Sequence, residues 1–250
     1  MNMKHASLPR FLTAIAILLT SQYGHGDSSE QCPPTENLWA RYQLSDVTDG
    51  HPSSSTSVTL VRSPDQVAYR YQATAITELW EQTPGGRLRL VRNFDQHRRG
   101  IEYQPVEIKG SHDWGTKQHL LSRQLRDELK LVSVSGSRCD RIEHYQGSRE
   151  HQTFSLDWHT RLQLPQVFVV EEQQGKKRQR WELVEVTTEE TRVAGVFDSL
   201  SHYQTTDYAD VGDNESDPFL MKMINLGFVE HGNQGFYDAD GESLDGGHQH

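Results

Sequence analysis

The chain has 250 residues, 35 of them acidic and 25 basic, and its formal net charge at pH 7 is −10. Two of the basic residues, Lys4 and Arg10, lie within the first 26 residues, so the remaining 224 carry 23 basic and 35 acidic residues and a net charge of −12. Nucleic acids and anionic membranes attract proteins with a basic surface, so this charge argues against both as partners.

Residues 1–26 have the pattern of a secretory signal peptide. Lys4 and Arg10 give a positive start, Phe11–Leu19 is apolar, and Gly24 and Gly26 are small residues at a suitable cleavage site. The apolar stretch is too short to span a bilayer, and no other long apolar run follows. We predict a released protein without a membrane span, periplasmic if the host is a Gram-negative bacterium.

Cys32 and Cys139 are the chain's two cysteines. In an oxidising compartment they form the one possible intramolecular disulfide, which we expect to tie the N-terminal segment to a later strand. Two free thiols or a bridge between two molecules are the alternatives.

Period-two alternation predicts a ladder of antiparallel strands early in the chain. Val67, Tyr69 and Tyr71 share one parity, and turn formers such as Pro64 separate the runs. We predict an opening strand or short helix at 38–47 and a loop through the serines of 49–55. The predicted ladder has strands at 58–61, 67–71, 76–81, 88–91 and 97–103.

The period changes to helical spacing between Gly115 and Val132. Leu121, Leu125, Leu129 and Val132 recur three or four residues apart, which predicts one amphipathic helix. We expect this helix to plug one face of the sheet.

Strands return in the second half of the chain, and the composition changes again near residue 198. Alternation predicts strands at 140–145, 153–158, 167–172 and 179–187, with hairpin turns at 147–148 and 174–176. The fold class is therefore mainly β (α+β), a curved antiparallel sheet or half-barrel with a plugging helix. We predict a β domain at 27–197 and an acidic, Gly- and His-ending extension at 198–250 that is partly disordered.

This order of elements resembles the LolA-like superfamily over residues 38–188. The resemblance rests on one helix after Trp114, the segments Leu156–Trp158 and Leu162–Pro165, and the strand around Trp181. The superfamily contains periplasmic lipoprotein carriers and the sensor domain of an envelope-stress regulator. The resemblance implies a half-open barrel that binds lipid or acyl chains between sheet and plug. The carrier also has an arginine that helps to hold its lid closed, for which the sequence offers many candidates.

Aromatic residues on the predicted strands are the candidate ligand-binding residues. If they share one face, they line an apolar groove; the alternative is an ordinary core beneath the helix. These residues are Tyr69, Tyr71, Trp80, Phe94, Tyr103 and Trp158.

The C-terminal histidines suggest a second class of function. His248 and His250, with His231 as a further ligand, place imidazoles where they could bind a divalent metal ion. A tail that binds metal weakly and without biological use is the alternative. The aspartates at 207, 210, 213 and 217 are a diffuse calcium candidate, with a solvated acidic loop as the alternative.

No recognised catalytic motif is present in the sequence, and we predict no enzyme and no cofactor. Asp157 near His159 is an acid–histidine pair without a signature around it. We predict a non-catalytic periplasmic carrier, sensor or accessory protein that binds a hydrophobic (lipid or acyl) ligand or an envelope protein. The alternative is a metal-binding accessory protein that uses the C-terminal His and Asp residues.

Overall fold

A computed structural model describes residues 32–108, 112–172, 175–214 and 216–225. The predicted signal segment 1–26 and the residues after 225 lie outside this range. The strands are β1 (Leu38–Thr48), β2 (His51–Arg62), β3 (Gln66–Tyr71), β4 (Ile76–Gln82), β5 (Leu88–Phe94), β6 (Arg99–Tyr103), β7 (Lys130–Ser135), β8 (Ile142–Arg149), β9 (Gln152–His159), β10 (Leu164–Glu172), β11 (Lys177–Thr187) and β12 (Gln204–Asp207). The helices are α1 (Trp114–His119), α2 (Arg123–Glu128), α3 (Glu190–Ser201) and α4 (Pro218–Asn225).

All twelve of these strands form one curved, open sheet, which confirms the predicted fold class. The strand order is β12-β6-β5-β4-β3-β2-β1-β11-β10-β9-β8-β7. Neighbours pair antiparallel except β12 and β6, which are parallel. Strand β1 pairs with both β2 and β11, and it therefore joins the ladder β2–β6 to the ladder β7–β11.

Alternation along the strands gives each face of the sheet its own apolar cluster. The larger cluster lies on the face that carries Tyr69, Trp80 and Trp158, and residues of α1, α2 and α4 pack against it. We call this the plug face, and we call α1 with α2 the plug. The smaller cluster, around Val61 and Leu79 on the opposite face, is covered by α3, and we call that side the α3 face.

The single helix predicted for residues 115–132 is wrong. Helix α1 ends at Leu120, whose φ of 66° is left-handed, and Ser122 begins α2 by accepting a hydrogen bond from the Leu125 amide at 3.1 Å. Leu129 is buried next to the plug, but Val132 lies on β7 and is 49% exposed. Leu121, Leu125 and Leu129 thus pack towards the plug-face cluster, whereas Val132, at the same spacing, does not, because it belongs to the exposed strand β7.

The predicted loop at 49–55 is also wrong, because β2 begins at His51. Thr48 pairs with His51, which leaves Asp49 and Gly50 as a two-residue turn. Both turn residues have positive φ, 49° and 80°, as the tight antiparallel hairpin turn requires. The serines of β2 pair with the end of β1. Similarly, residues 147–148, predicted as a turn, lie inside β8.

Residues beyond 197 contribute to the sheet. Helix α3 runs across the predicted domain boundary and ends at Ser201. Strand β12 then pairs with β6, and the side chains of Leu220 and Met223 on α4 are buried in the cluster of the plug face. The Arg99 guanidinium pairs with the Asp217 carboxylate at 2.8 Å and fixes the start of α4 against β6.

Cys32 and Cys139 form a disulfide, with their Cα atoms 5.5 Å apart and a sequence separation of 107. The bond ties the start of the described chain to the segment between β7 and β8. Among the described residues, no helix is both long and apolar enough to cross a membrane.

Candidate functional site

The six predicted ligand-binding side chains all lie on the plug face. They come from β3, β4, β5, β6 and β9, and each belongs to the same apolar cluster. Their exposed fractions are at most 5%. These residues are Tyr69, Tyr71, Trp80, Phe94, Tyr103 and Trp158. They pack against the covering helices as core residues do, so a ligand can reach them only if that cover moves.

The plug covers the centre of the face through polar as well as apolar contacts. The Tyr69 hydroxyl donates a hydrogen bond to the Lys117 carbonyl of α1. The Lys117 ammonium nitrogen lies 4.0 Å from the centre of the Trp80 ring, and the Arg126 guanidinium of α2 lies 4.9 Å from the Trp158 ring. These cation–ring contacts orient the plug, and the apolar side chains of Trp114, Leu120 and Leu125 pack against the same cluster.

A different segment covers the end of the face near β5 and β6. Phe219 of α4 meets the Phe94 ring edge-on at 5.4 Å, and Tyr208 stacks on Tyr103 at 5.0 Å. Burial raises the pKa of Tyr103 to about 12, so its hydroxyl stays protonated. The aromatic face is therefore closed by two independent covers, the plug and the segment 208–225.

Arg62 at the end of β2 holds the plug to the sheet and to two loops. Its guanidinium donates hydrogen bonds to the carbonyls of Gln118 at 2.7 Å, Leu162 at 2.6 Å and Thr35 at 3.3 Å. These carbonyls belong to α1, the β9–β10 connection and the N-terminal segment. Arg62 is only 5% exposed, although arginine is seldom buried without such partners.

The charge of Arg62 has no described carboxylate within ion-pair distance. Burial lowers the pKa of its guanidinium from the ordinary value, while the neighbouring Tyr42 and Tyr69 oppose that shift. Carbonyl dipoles thus take the place of a counter-ion, and Arg62 joins α1, the β9–β10 connection and the N-terminal segment through these three hydrogen bonds. Sequence reasoning did not single out Arg62, because nothing in the pattern of β2 marks it as buried.

A second buried charge lies on the plug face beneath the cover. Glu78 on β4 and Arg92 on β5 pair at 3.2 Å with side chains 1% and 4% exposed. Glu78 Oε2 and the indole nitrogen of Trp80 have no hydrogen-bond partner among the described residues. The apolar face therefore contains one polar point, which can receive the polar end of an amphipathic ligand.

A serine–histidine–aspartate array crosses β7, β8 and β9 at the other end of the sheet. His144 Nε2 lies 2.7 Å from Ser135 Oγ, and His144 Nδ1 lies 2.7 Å from Asp157 Oδ1. The atoms match those of a hydrolytic triad. The His144 and Asp157 side chains are 30% and 34% exposed, however, so water solvates the array and screens the electrostatic stabilisation that catalysis needs. We interpret it as a cross-strand polar ladder.

The predicted metal ligands His231, His248 and His250 lie outside the described residues, and metal binding there stays a prediction. Within the described part of the chain, no cluster of three or more His, Cys, Asp or Glu residues is placed to hold a metal ion. Asp217, one of the calcium candidates, instead pairs with Arg99 and accepts hydrogen bonds from the first amides of α4.

No protein-family model and no curated protein sequence matches the chain. Among solved structures it is similar to PNGF-II, with 11% identity over 71% of this chain and 32% of that one and a TM-score of 0.39. It is similar to the MucA/MucB complex of Pseudomonas aeruginosa, with 13% identity, coverage of 63% and 54%, and a TM-score of 0.32. It is also similar to a LolA superfamily protein of Nitrosomonas europaea, with 7% identity, coverage of 64% and 90%, and a TM-score of 0.32. At these values the likenesses carry no argument about function, which rests on the geometry above.

Proposed function

We propose that the protein is a non-catalytic periplasmic binding protein that takes up an apolar, acyl-type ligand between the plug and the plug face. The observation that carries this proposal is the difference between the plug face of the sheet and the plug that covers it. Six aromatic side chains belong to one apolar cluster on the plug face, whereas the plug consists of two short helices that contact this face through apolar side chains and through hydrogen bonds from Arg62 and Tyr69 to its backbone. The plug contributes no strand to the sheet, so it can move without breaking the strand pairing.

The plug is also weak as a structure of its own. Helices α1 and α2 have six residues each, which is far below the length at which a helix is stable in isolation. Their stability therefore comes from the contacts with the sheet. If the plug moves away from the sheet, apolar surface is exposed. Binding of an apolar ligand to this surface is then favoured by about 0.8 kcal/mol for each CH₂ group that becomes buried.

The N-terminal segment and the disulfide support a periplasmic location. Residues 1–26 have the composition of a secretory signal, and the Cys32–Cys139 bond is of the type that persists in oxidising compartments. The disulfide also restrains the segment that contains Thr35, one of the three carbonyl partners of Arg62. An oxidised protein therefore has a better-fixed cover than a reduced one.

Native mass spectrometry of the protein purified from its own periplasm, before and after treatment with a chelator, tests this proposal. We expect a co-purifying mass of a lipid or acyl chain that the chelator does not change. A metal mass that is lost on chelation, and that disappears on deletion of residues 246–250, supports the metal-binding alternative instead. A bare polypeptide mass contradicts the proposal of a stably bound ligand and directs attention to an envelope protein as the partner.

A further inference from the structure

The two edges of the sheet differ in how far they invite pairing with another chain. One edge is β12, which has only four residues, all of them polar. The other is β7, which pairs with β8 on one side and with no described strand on the other. Half of the backbone N–H and C=O groups of β7 therefore face away from the sheet, and such an edge is a template for the addition of a further strand.

Strand β7 also exposes apolar side chains. All six of its residues are exposed, and the one charged residue among them, Lys130, stands at the first position. Six large apolar side chains are exposed in the described part of the chain, and three of them lie on this strand, each between 43% and 49% exposed. These three are Leu131, Val132 and Val134. Apolar side chains beside an open row of backbone groups are features of a contact surface.

The pairing of β7 with β8 shows on which face each side chain lies. Leu131 pairs with Tyr145 and Val134 pairs with Glu143, and both partners lie opposite plug-face residues of β9. Directly paired residues share a face, so Leu131 and Val134 both project on the side of the plug face, although they are three residues apart. The bulge at Val132 explains this spacing, because it adds one residue between them.

This arrangement makes β7 complementary to a second copy of itself. If two copies pair antiparallel about a two-fold axis between Val132 and Ser133, every residue of the strand faces a residue of the same side of the sheet. Leu131 then faces Val134 of the second copy, and the two bulges lie opposite each other. A shift by one residue in either direction would place Leu131 opposite Ser133 or Ser135, which project on the side of the α3 face.

The charges around β7 also fit a second copy. The chain as a whole has a net charge of −10, but residues 126–150 contain five basic and five acidic residues, so this edge is locally neutral. Asp127 lies three residues before β7 and Arg138 three residues after it, and both are exposed. Antiparallel pairing brings the start of one strand to the end of the other, so Asp127 of each copy comes close to Arg138 of the other.

We propose that β7 is a dimerisation edge, at which a second copy of this chain adds its own β7 antiparallel and extends the sheet across both molecules. The plug faces of the two copies then lie on the same side of the joined sheet, and Leu131 and Val134 of both copies form an apolar stripe across the junction. Six paired residues from each copy bury less surface than a standard protein–protein interface, so the dimer forms reversibly and depends on concentration.

Sedimentation velocity of the purified full chain, from low micromolar to several hundred micromolar, tests the proposal. We expect a reversible equilibrium between monomer and dimer. Val134→Lys and Leu131→Glu each place a charge opposite an apolar side chain at the junction, and each should weaken dimerisation at least about tenfold. Val184→Lys replaces a similarly exposed valine on β11 and should leave dimerisation unchanged.

An equimolar mixture of the two weakened variants tests the register. In a heterodimer, the new carboxylate of Leu131→Glu faces the new ammonium of Val134→Lys at one end, and the other end keeps an unsubstituted Leu131–Val134 contact, so the mixture should dimerise again. The proposal is overturned if the unsubstituted chain stays monomeric over the whole range, if Val134→Lys dimerises as tightly as the unsubstituted chain, or if the mixture stays monomeric. A monomeric chain in which the amides of β7 exchange slowly would show instead that another segment of the same chain covers the edge.

Discussion

Replacement of Arg62 by methionine removes the guanidinium and keeps an apolar stem of similar length. The carbonyl of Leu162 is left buried without its donor, and those of Gln118 and Thr35 are left partly buried. A buried acceptor that loses its partner costs about 1–3 kcal/mol, and partly buried ones cost less because water reaches them. The variant also no longer buries a guanidinium, which offsets part of this loss. We therefore expect the free energy of unfolding to fall by about 2–4 kcal/mol.

The local loss should be greatest in the plug, because the hydrogen bond from Arg62 to the Gln118 carbonyl ties α1 to the sheet and the short helices α1 and α2 depend on such contacts. Hydrogen exchange followed by mass spectrometry should show faster exchange of the amides of α1 and α2, while the central strands β3 to β5 remain protected. Arg70→Met is the matched control, since Arg70 is on the neighbouring strand with its side chain 47% exposed. Equal unfolding free energies for the two variants, with unchanged exchange in α1 and α2, would refute the role assigned to Arg62.

Three further predictions concern the disulfide, the pH dependence of stability and the serine array. Replacement of Cys32 and Cys139 by serine removes a cross-link between residues 107 apart and should lower the free energy of unfolding by about 2–5 kcal/mol. Urea denaturation under non-reducing conditions measures this change, and equal stability of the two proteins would show that the bond does not form. Burial and the guanidinium of Arg62 lower the pKa of His119 from its ordinary value of 6.5. As the pH falls, the imidazole is therefore protonated in the unfolded chain before it is protonated in the folded one. The free energy of unfolding should fall as the pH drops from about 6.5 towards the lowered pKa. His119→Gln should reduce this slope, and an unchanged slope in urea denaturation between pH 5 and 7 would contradict the assignment. A fluorophosphonate probe should leave Ser135 unlabelled at neutral pH, because the array is solvated; labelling that is lost in His144→Ala would show a catalytic serine.

Much of the sheet can be predicted from the sequence, because its strands obey a local rule. Val67, Tyr69 and Tyr71 lie two residues apart along β3, and this spacing places their side chains on one face of the strand whatever the strand order is. That the six aromatic residues share a face depends in addition on the pairing of their strands, so the sequence offered a shared face only as one alternative. Whether these aromatic side chains line a groove or form a closed core depends on the helices that cover them, and the alternation along the strands does not predict how those helices pack.

The features that the sequence did not reveal depend on contacts between distant residues. Helix α1 ends at Leu120 through a left-handed backbone conformation, which the leucine spacing does not signal. Strand β12 exists because Gln204 pairs with Arg99, more than a hundred residues earlier. Arg62 ends the serine-rich strand β2 like an ordinary surface residue, and its burial follows only from the convergence of α1, the β9–β10 connection and the N-terminal segment. Orphaned acceptors such as Asn93 Oδ1 are likewise visible only in the folded chain.

Tryptophan fluorescence quenching by a brominated stearic acid tests whether an acyl chain enters between the plug and the sheet, because bromine quenches only the indoles that it approaches closely. Trp80 and Trp158 lie on the plug face, whereas Trp39 lies on the α3 face beneath Arg192. If the acyl chain enters between plug and sheet, quenching should saturate, should decrease in Trp80→Phe and Trp158→Phe, and should be unchanged in Trp39→Phe. Quenching that is absent, or that is lost in Trp39→Phe while both plug-face variants behave as the unsubstituted protein, would contradict the claim that the plug face is the binding site.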